Sequence, residues 1–570
     1  MTVLLAAILL SSPLTTDVAD RAVTGDVTVV NISWAFAGGT IDWRFNPTAT
    51  KGPFNPEWTW QLNRMCFWTD LARCYKETGN EKYAQAFACQ LVSWLDQTGG
   101  VPPEADYNGV GSPWRTIEEG LRLMGSWRDA WLAFRNSPSF SADLQVRFRS
   151  AALAQARHLM RHPSSVGNWL LIEMSGAYAF ATDFPDNPES PAIRREASRR
   201  LVKAVREQVL PDGLQYELSP DYHSVALTCA FQMYAKAAAS GLLDELPLDY
   251  GPLLERMADA VLAMTTPSLV QPRFNDCFTM CADQIVGPMV SLFPEREDFA
   301  WLASRRKRGN PPAGETASRY LPWSGFAVMR SDWGSDATYL CFDVGPLGQA
   351  HYHQDKLSFT LWKGGEELVF DDGGGQYEES EMRRYAVSGY DHNTLLVDGL
   401  GQFRGGPLRA TAPIDAGWIS TMTYDRAFGI YDQGFGPKEL RLATQRREIV
   451  FDRASDQFTV TDVVETKDGG LHDYELVFQL DTTNVTVSAD GRRLRADYGL
   501  GRRWALEMSF LGADAVTPIV ARREPTPAGW FVGRNDNSVR SATTVFVKAS
   551  ERRNHTFMTK LKAIRVTLTR

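Results

Sequence analysis

The sequence predicts a multidomain α + β protein in which a helical half precedes a half built from antiparallel strands. Apolar residues recur with the period of an amphipathic helix from residue 58 to about residue 302, and with a period of two from residue 323 onward. Between them, the charged and proline-containing run 304–312 is typical of an interdomain linker, with a polyanion contact as the alternative. We therefore divide the chain into an N-terminal segment 1–40, a helical domain 41–303, a linker 304–322 and a β domain 323–570.

The helical half is punctuated by turn residues such as Gly99-Gly100 and Pro211-Asp212-Gly213. The predicted helices are 60–78, 82–95, 114–134, 142–160, 168–180, 192–209, 222–239 and 252–264. There is no fixed sequence repeat, but the helices come in pairs, which is typical of an α/α toroid or a solenoid.

In the second half, Gly and Asp-Gly turns separate runs of alternating apolar and polar residues. The clearest predicted strands are 338–344, 440–451, 457–464, 474–480, 505–510 and 543–547. Many antiparallel strands in succession predict a large β-sandwich.

The bulk composition excludes several classes of protein. The net charge of -8 argues against a nucleic-acid partner and requires any acidic substrate to be held by a local cleft. The seven cysteines are odd in number and contain no CxxC, so neither a disulfide framework nor a zinc ribbon is predicted.

The N-terminus carries an apolar run, residues 3–10, that resembles the core of a signal peptide but has no Lys or Arg before it. This run is far shorter than the roughly 20 residues that span a bilayer. We expect a periplasmic or secreted protein, with a cytoplasmic location as the alternative, and no membrane partner.

The stretch 349–394 holds three of the eight histidines, His351, His353 and His392. A Gly364-Gly365 turn between two alternating runs predicts a β-hairpin. A strand period of two would put His351, His353 and Asp355 on one face.

Asp371 follows the second strand of this hairpin, which can return it to the neighbourhood of His353. Imidazoles and carboxylates that meet in this way indicate either a metal site or acid-base chemistry. Histidines that are merely solvated near turns are the alternative.

Two stretches of the helical half also carry polar residues at helix starts. Asn168 sits where a helix begins, and composition alone favours an N-cap role for it. Ser219 is predicted to cap a helix that has Pro220 as its first residue, which places Tyr222 and His223 in the first turn. An adjacent Tyr and His can serve as acid, base or substrate contacts, or simply pack together.

Several motifs together resemble the heparinase II/III-like polysaccharide lyases, most of all the heparinase III type, which cleaves heparan sulfate. The motifs that carry the resemblance are 60–64 (WQLNR), 78–83 (TGNEKY), Trp114-Arg115, 212–223, Asp371 and 392–394 (HNT). The resemblance covers about residues 40 to 400. It implies an (α/α) toroid followed by an antiparallel β-sandwich, with the active site between them.

The resemblance also implies a chemistry, the β-elimination of a uronate-containing polysaccharide, and assigns Asn168, Tyr222 and His351 to the catalytic positions. A lyase removes the C5 proton of a uronate and expels the 4-linked sugar oxygen. Asn168 would stabilise the charge that develops on the carboxylate, while Tyr222 and His351 act as base and acid. Which of the two is the base depends on the epimer of the uronate.

The predicted substrate contacts are Arg115, His223, Glu217 and Tyr390. His353, Asp371 and His392 match the metal position of the family, and two imidazoles with one carboxylate suit a structural Zn²⁺. A hydrogen-bonded cluster without metal is the alternative, and no organic cofactor is expected.

Heparan sulfate is the first expected substrate, and alginate or another glycosaminoglycan is the runner-up. Two other classes stay open. One is a glycoside hydrolase on an α/α toroid that uses a carboxylate pair such as Glu118 and Glu173, and the other is a sugar-binding protein without catalysis. Little sequence precedes residue 41 compared with relatives, which leaves endo and exo action both possible.

Overall fold

The computed structural model describes residues 16–566. The chain forms two compact units: the first contains the residues up to Gln208 with Ser224–Leu254 and Tyr377–Ser380, and the second contains Val209–His223, Glu255–Gln376 and the residues from Glu381 onward. The domain boundaries drawn from the sequence stay a prediction. The signal-like run 3–10 lies outside the described residues, so the expected location stays a prediction too.

Helices dominate the chain up to residue 303. In chain order they are α1 Asp17–Val23, α2 Glu57–Leu62, α3 Cys66–Thr78, α4 Lys82–Thr98, α5 Thr116–Met124, α6 Ser126–Phe134, α7 Ala142–Arg161, α8 Gly167–Asp183, α9 Ser190–Gln208, α10 Pro220–Ala239, α11 Tyr250–Met264, α12 Ala282–Val286 and α13 Glu297–Ala303, with α14 Glu381–Ala386 later in the chain. Most follow the predicted spans within a few residues.

Two predicted helices are each split into two. The span 60–78 is interrupted at Met65, whose φ of 55° is left-handed, so α2 ends at Leu62 and α3 starts at Cys66. The span 114–134 breaks at Gly125, between α5 and α6. Periodicity did not reveal either break, because the apolar spacing continues across a single residue of irregular backbone.

Within the first unit, α5 and α8 cross at two glycines. A Cβ on Gly176 would lie 2.5 Å from the carbonyl oxygen of Gly120, and a Cβ on Gly120 would lie 2.7 Å from that of Ile172. Only glycine allows two backbones to approach this closely. The crossing fixes α8, which begins with Asn168 in its first turn.

A two-stranded sheet, β1 Asp26–Val29 and β2 Ile32–Ala35, belongs to the first unit. The second unit holds two larger sheets whose neighbouring strands all pair antiparallel. The nine-stranded sheet has the order β17-β20-β13-β7-β6-β5-β4-β3, with β8 paired to β13, and the eight-stranded sheet has the order β14-β15-β16-β21-β12-β11-β10-β9.

The strands of the nine-stranded sheet are β3 Arg319–Leu321, β4 Phe326–Arg330, β5 Thr338–Asp343, β6 Phe359–Lys363, β7 Glu366–Val369, β8 Leu395–Val397, β13 His472–Leu480, β17 Ala515–Val520 and β20 Thr543–Arg552. Those of the eight-stranded sheet are β9 Ile419–Ser420, β10 Tyr424–Tyr431, β11 Ala443–Asp452, β12 Gln457–Thr466, β14 Asn484–Val487, β15 Arg493–Asp497, β16 Trp504–Leu511 and β21 Asn554–Arg565. β18 Trp530–Val532 and β19 Val539–Ser541 form a separate hairpin.

The two large sheets share one apolar core. Leu340, Phe359 and Leu361 from the first sheet pack in the same cluster as Phe451 and Val460 from the second. Inward-facing residues alternate with outward-facing ones along strands such as β11, as expected for a sandwich. The predicted hairpin is present as β6 and β7, and both turn glycines have positive φ, 58° at Gly364 and 78° at Gly365.

Within residues 16–566, no helix is both long enough and apolar enough to cross a membrane.

Candidate active site

The residues that lead from β5 to β6 form an irregular loop, and this loop carries His351 and His353. The prediction that strand alternation puts His351, His353 and Asp355 on one face is wrong, because 349–358 contains no strand and His351 has a left-handed φ of 66°. Loop backbone instead directs both imidazoles toward a third residue, Asp276.

His351 is surrounded by groups suited to proton transfer. Its ring stacks on the Tyr222 ring with 3.6 Å between centroids and 9° between planes. Its Nδ1 lies 3.3 Å from an Asp276 carboxylate oxygen and its Nε2 lies 3.5 Å from a Glu217 oxygen. The His351 side chain is 19% exposed, whereas both carboxylates are buried.

Asp276 is the centre of this cluster. It is 3.2 Å from His353 Nε2, 2.6 Å from Arg383 and 3.4 Å from Arg534, in addition to its contact with His351. Burial alone would raise the pKa of the Asp276 carboxyl, but the two guanidiniums and the hydrogen bonds from the histidines hold that pKa well below its usual range. Asp276 is therefore a fixed anion beside His351.

Tyr222 is positioned by the start of α10. Pro220 is the first helical residue, and the Tyr222 amide donates to the Ser219 hydroxyl at 3.4 Å, as the predicted cap requires. The same hydroxyl donates to the Asp276 carbonyl at 2.7 Å. One serine thus connects the helix start that carries Tyr222 to the loop that carries Asp276.

Sequence reasoning missed Asp276, Arg383 and Arg534. Asp276 lies in a loop excursion closed by a bridge between Val270 and Cys281, far along the chain from the histidines it contacts. The neighbouring Asn275 binds the same loop, since its Oδ1 accepts from the His353 amide at 3.2 Å. A polar Asn-Asp pair in a loop was the only local signal, and it has no spacing relation to His351 or His353.

The other predicted contacts in the second unit have different surroundings. Both ring nitrogens of His223 are engaged inside the protein, Nδ1 by the Gln215 amide at 3.1 Å and Nε2 by the Met257 carbonyl at 2.9 Å. Burial lowers the pKa of His223 to about 4, so its ring is neutral, and its role as a substrate contact stays a prediction. The Tyr390 hydroxyl donates a hydrogen bond to the Gly399 carbonyl at 2.9 Å. Glu217 lies 3.5 Å from His351 Nε2.

Arg115 belongs to the first unit, within a buried cluster of charged side chains. It lies 2.9 Å from Glu57 and also binds Glu118, which in turn binds Arg64. Burial alone would raise the pKa of Glu57, but Arg115 and Arg64 lower it to about 2. The Arg115 guanidinium also lies 3.7 Å from the Trp60 ring centroid, so the 60–64 motif contributes to this cluster.

Asn168 is the second residue of α8 and is buried. The N-cap interpretation of Asn168 is wrong, because Val166 occupies the cap position and no side chain caps the helix there. Glu173 instead binds the segment that precedes the helix, since its carboxylate accepts from the Ser164 amide and hydroxyl at 2.7 Å each. Asn168 thus lies near the positive end of a helix dipole without serving as its cap.

The predicted metal ligands lie in the second unit and are fully buried. His392 Nδ1 is 2.8 Å from an Asp371 oxygen, and the His353 and His392 ring centroids are 5.2 Å apart. Within residues 16–566, His353 Nδ1, His392 Nε2 and both Asp355 oxygens have no hydrogen-bond partner. In the same residues, no three His, Cys, Asp or Glu side chains converge as a metal site. Imidazole nitrogens and a carboxylate are ligands that zinc takes, and the buried nitrogens without partners fit such a role. The Asp371 carboxylate, however, is directed to His392.

Two family models match nearly the whole chain. The heparinase II/III N-terminus matches residues 12–301, and the heparinase II/III-like C-terminal domain matches residues 313–563. The chain belongs to the heparinase II/III family. The resemblance seen in the sequence motifs is confirmed.

Among curated relatives, the heparin-sulfate lyase of Bacteroides stercoris is 28% identical over 381 residues, which cover 63% of this chain and 56% of the relative. That of Pedobacter heparinus is 28% identical over 368 residues, covering 63% and 54%. The matched part is little more than half the length of each curated relative.

Solved structures of heparinases share the fold. A heparinase III structure superposes with a TM-score of 0.80 at 17% identity, covering 98% of this chain and 86% of the other. Heparan sulfate lyase HepC from Pedobacter heparinus gives 0.66 at 22% identity, covering 98% and 84%. The predicted fold class, an (α/α) toroid followed by an antiparallel β-sandwich, is confirmed.

Proposed function

We propose that this heparinase II/III family member is a polysaccharide lyase that cleaves a uronate-containing polymer by β-elimination, with heparan sulfate as the first candidate substrate. The observation that carries the proposal is the stacked Tyr222–His351 pair flanked by Glu217 and Asp276. The names of the curated relatives, all heparin-sulfate lyases, support the choice of substrate.

The proposed reaction needs two proton transfers and no water. A base takes the C5 proton of the uronate, the electrons form a C4–C5 double bond, and the bond from C4 to the bridging oxygen breaks. An acid protonates that oxygen as it leaves. Tyr222 and His351 supply one hydroxyl and one imidazole within a single stacked pair, which suits this division of labour.

Asp276 has a positioning role in this proposal. If His351 Nδ1 donates to the Asp276 carboxylate, Nε2, which lies 3.5 Å from Glu217, is the nitrogen that exchanges a proton with substrate. The two guanidiniums that neutralise Asp276 keep it from competing for that proton. The left-handed backbone of His351 sets the direction of the ring.

For Asn168 we propose donation of an amide hydrogen bond to the uronate carboxylate, where negative charge develops in the transition state. Support comes from its position near the N-terminus of α8, where helix dipole and backbone N–H groups favour a nearby anion.

For the metal we propose a structural Zn²⁺ held by His353, Asp371 and His392. When bound, the ion would fix the loop of His353 and the end of β7 and would take no part in proton transfer. Elemental analysis should find about one zinc per chain, and His392→Ala should lose it and lower the melting temperature. A metal-free preparation that is fully stable would contradict this proposal.

A glycoside hydrolase is not favoured. Glu118 and Glu173 are both fully buried, Glu118 is bound by two arginines, and Glu173 is bound by Ser164. Neither carboxylate is available to a sugar in this arrangement, although hydrolysis needs two carboxylates flanking the bond.

A panel of uronate polymers, with near-ultraviolet absorbance as the readout, tests the proposal. A lyase leaves a conjugated unsaturated uronate, so absorbance should rise with heparan sulfate and less or not at all with alginate. New reducing ends without absorbance would indicate a hydrolase. Binding without either signal would indicate a sugar-binding protein.

A further inference from the structure

The outer face of the eight-stranded sheet has a depression of about 420 Å³ lined mainly by polar side chains. Strands β15, β16 and β21 form its floor, with β14 and β12 at its sides. None of its lining residues belongs to the candidate active site. Its lining includes the cations Arg493, Arg495, Lys560 and Lys562.

The strand register arranges these cations in two rows. In the first row, Arg493 on β15 is opposite Ser509 on β16, which is opposite Lys560 on β21. In the second row, two residues further along each strand, the order is Arg495, Glu507 and Lys562. From strand geometry, the two lysines are about 7 Å apart along β21, and Arg493 lies two strands, about 10 Å, from Lys560. The positive charges therefore repeat along the strand and across the sheet.

Three of the four cations are left without a neutralising partner. Arg495 lies 2.9 Å from Asp497 and 3.5 Å from Glu507, but Arg493, Lys560 and Lys562 form no ion pair with any residue between 16 and 566. All three are exposed. On the same face of this sheet, by contrast, Arg426 and Arg446 both bind Glu448.

An unpaired cationic patch is unexpected on a chain with a net charge of -8. Adjacent acidic residues normally neutralise such side chains, but the lining holds four cations and one acid, Glu507, so it has a net positive charge that attracts anions. Hydroxyl groups on the same lining, from Thr486 and Ser509, are suitable partners for sugar hydroxyls.

We propose that this depression is a second binding site for an anionic polysaccharide, built around Arg493, Lys560 and Lys562. The choice of ligand rests on the proposed function. A long polymer that engages this site as well as the catalytic residues is held at two points, so it dissociates more slowly than a short fragment that can engage only one.

The test compares two triple variants that remove equal charge. R493Q/K560Q/K562Q neutralises the patch, and R426Q/R441Q/R446Q neutralises three arginines that bind Glu448 or Glu439. Each is combined with His351→Ala to stop cleavage, and affinity for long heparan sulfate chains and for a heparan sulfate tetrasaccharide is measured at two salt concentrations.

We expect the patch variant to bind long chains at least about fivefold more weakly, with a salt dependence reduced by up to about one unit per cation removed. Tetrasaccharide affinity should stay within about twofold, and the control variant should retain both affinities. Unchanged long-chain affinity, an equal loss in the control, or a larger loss for duplex DNA than for heparan sulfate would overturn the proposal.

Failure of the lyase function gives a separate result. Wild-type protein that raises no absorbance on any uronate polymer would refute the proposed function, yet a loss of polymer affinity confined to R493Q/K560Q/K562Q would still support the site. Wild-type activity together with unchanged affinity in that variant would refute the second site alone.

Discussion

Two buried clusters of charged side chains, one in each unit, differ in whether a member is partly exposed to solvent. In the first unit, Glu57, Arg64, Arg115 and Glu118 balance two carboxylates with two guanidiniums, and no member is more than 15% exposed. In the second unit, Asp276 gathers two arginines and two histidines, and one of these, His351, is 19% exposed and stacked on Tyr222.

The comparison contrasts a closed charge network with the one for which we propose a catalytic role. Burial by itself disfavours both Glu57 and Asp276 as anions, and arginines reverse that effect in each case. The difference lies in the histidine, since the Asp276 cluster includes an imidazole that is partly exposed to solvent and stacked on Tyr222. The catalytic role that we propose for the second cluster therefore rests on its partly exposed imidazole and not on its number of charges.

The largest expected effects come from the stacked pair. Tyr222→Phe and His351→Ala should each lower turnover at least about 100-fold, the usual contribution of a general acid or base, while substrate binding and melting temperature hold. Tyr474→Phe is a matched control, because the Tyr474 hydroxyl donates to the backbone carbonyl of Arg553, and its turnover should stay within about twofold. Initial rates of absorbance increase measure all three, and near wild-type turnover of either test variant would show that its residue is misassigned.

Asn168→Asp should also lower activity by orders of magnitude, because it replaces a donor by a second negative charge facing the uronate carboxylate. The melting temperature should change little, since an acid in the first turn of α8 suits the helix dipole while burial of the site disfavours the added charge. Asn187→Asp is the control, because Asn187 accepts from the Glu189 amide just before α9 and should lose no activity. Retained activity in Asn168→Asp would mean that another group stabilises the carboxylate.

Arg115→Met tests whether the cluster in the first unit contributes to the stability of the fold. It leaves Glu57 and Glu118 buried with Arg64 alone, and breaking such a buried pair typically costs about 3–5 kcal/mol. Chemical denaturation measures the loss, and the exposed pair of Arg147 with Asp96 provides a control, since Arg147→Met should change little. A raised KM with unchanged stability would instead make Arg115 the substrate contact that the sequence predicts.

The smallest expected effect is a pH dependence of stability from Glu57. Its pKa falls from an ordinary 4.5 to about 2 on folding, so its contribution is fully present above pH 4.5 and is lost as pH falls through 2. Glu57→Gln should remove that contribution, so the stabilities of the two proteins should converge in acid. Denaturation curves between pH 7 and pH 2 measure this, and curves that stay parallel would contradict the assignment.

The sequence predicted the fold and one side of the site well, for identifiable reasons. Turn residues and the change in the period of the apolar residues predicted the helices and the β6–β7 hairpin, because these elements depend on local spacing. Tyr222 was placed correctly because Ser219 and Pro220 form a local cap signal.

What the sequence could not supply was contact between distant segments. Asp276, Arg383 and Arg534 meet at one carboxylate although more than 100 residues separate the first from the others, and no periodicity reports such a meeting. The alternation of residue types around His351 predicts a strand, but the structure has a loop there, because such alternation can also occur in irregular backbone. The cap assigned to Asn168 failed by two residues, within the usual uncertainty of a helix start.

The central claim is that the Tyr222–His351 pair breaks a sugar bond by elimination, without adding water. Cleavage of heparan sulfate in water labelled with the heavy isotope of oxygen, followed by mass spectrometry of the fragments, tests it most directly. Elimination predicts unsaturated fragments whose masses sum to that of the parent chain, with no heavy oxygen gained at the cleaved bond, and loss of these products in Tyr222→Phe and His351→Ala. Hydrolysis would instead add one heavy oxygen atom from water for each bond that is cleaved. Fragments with that label would contradict the account.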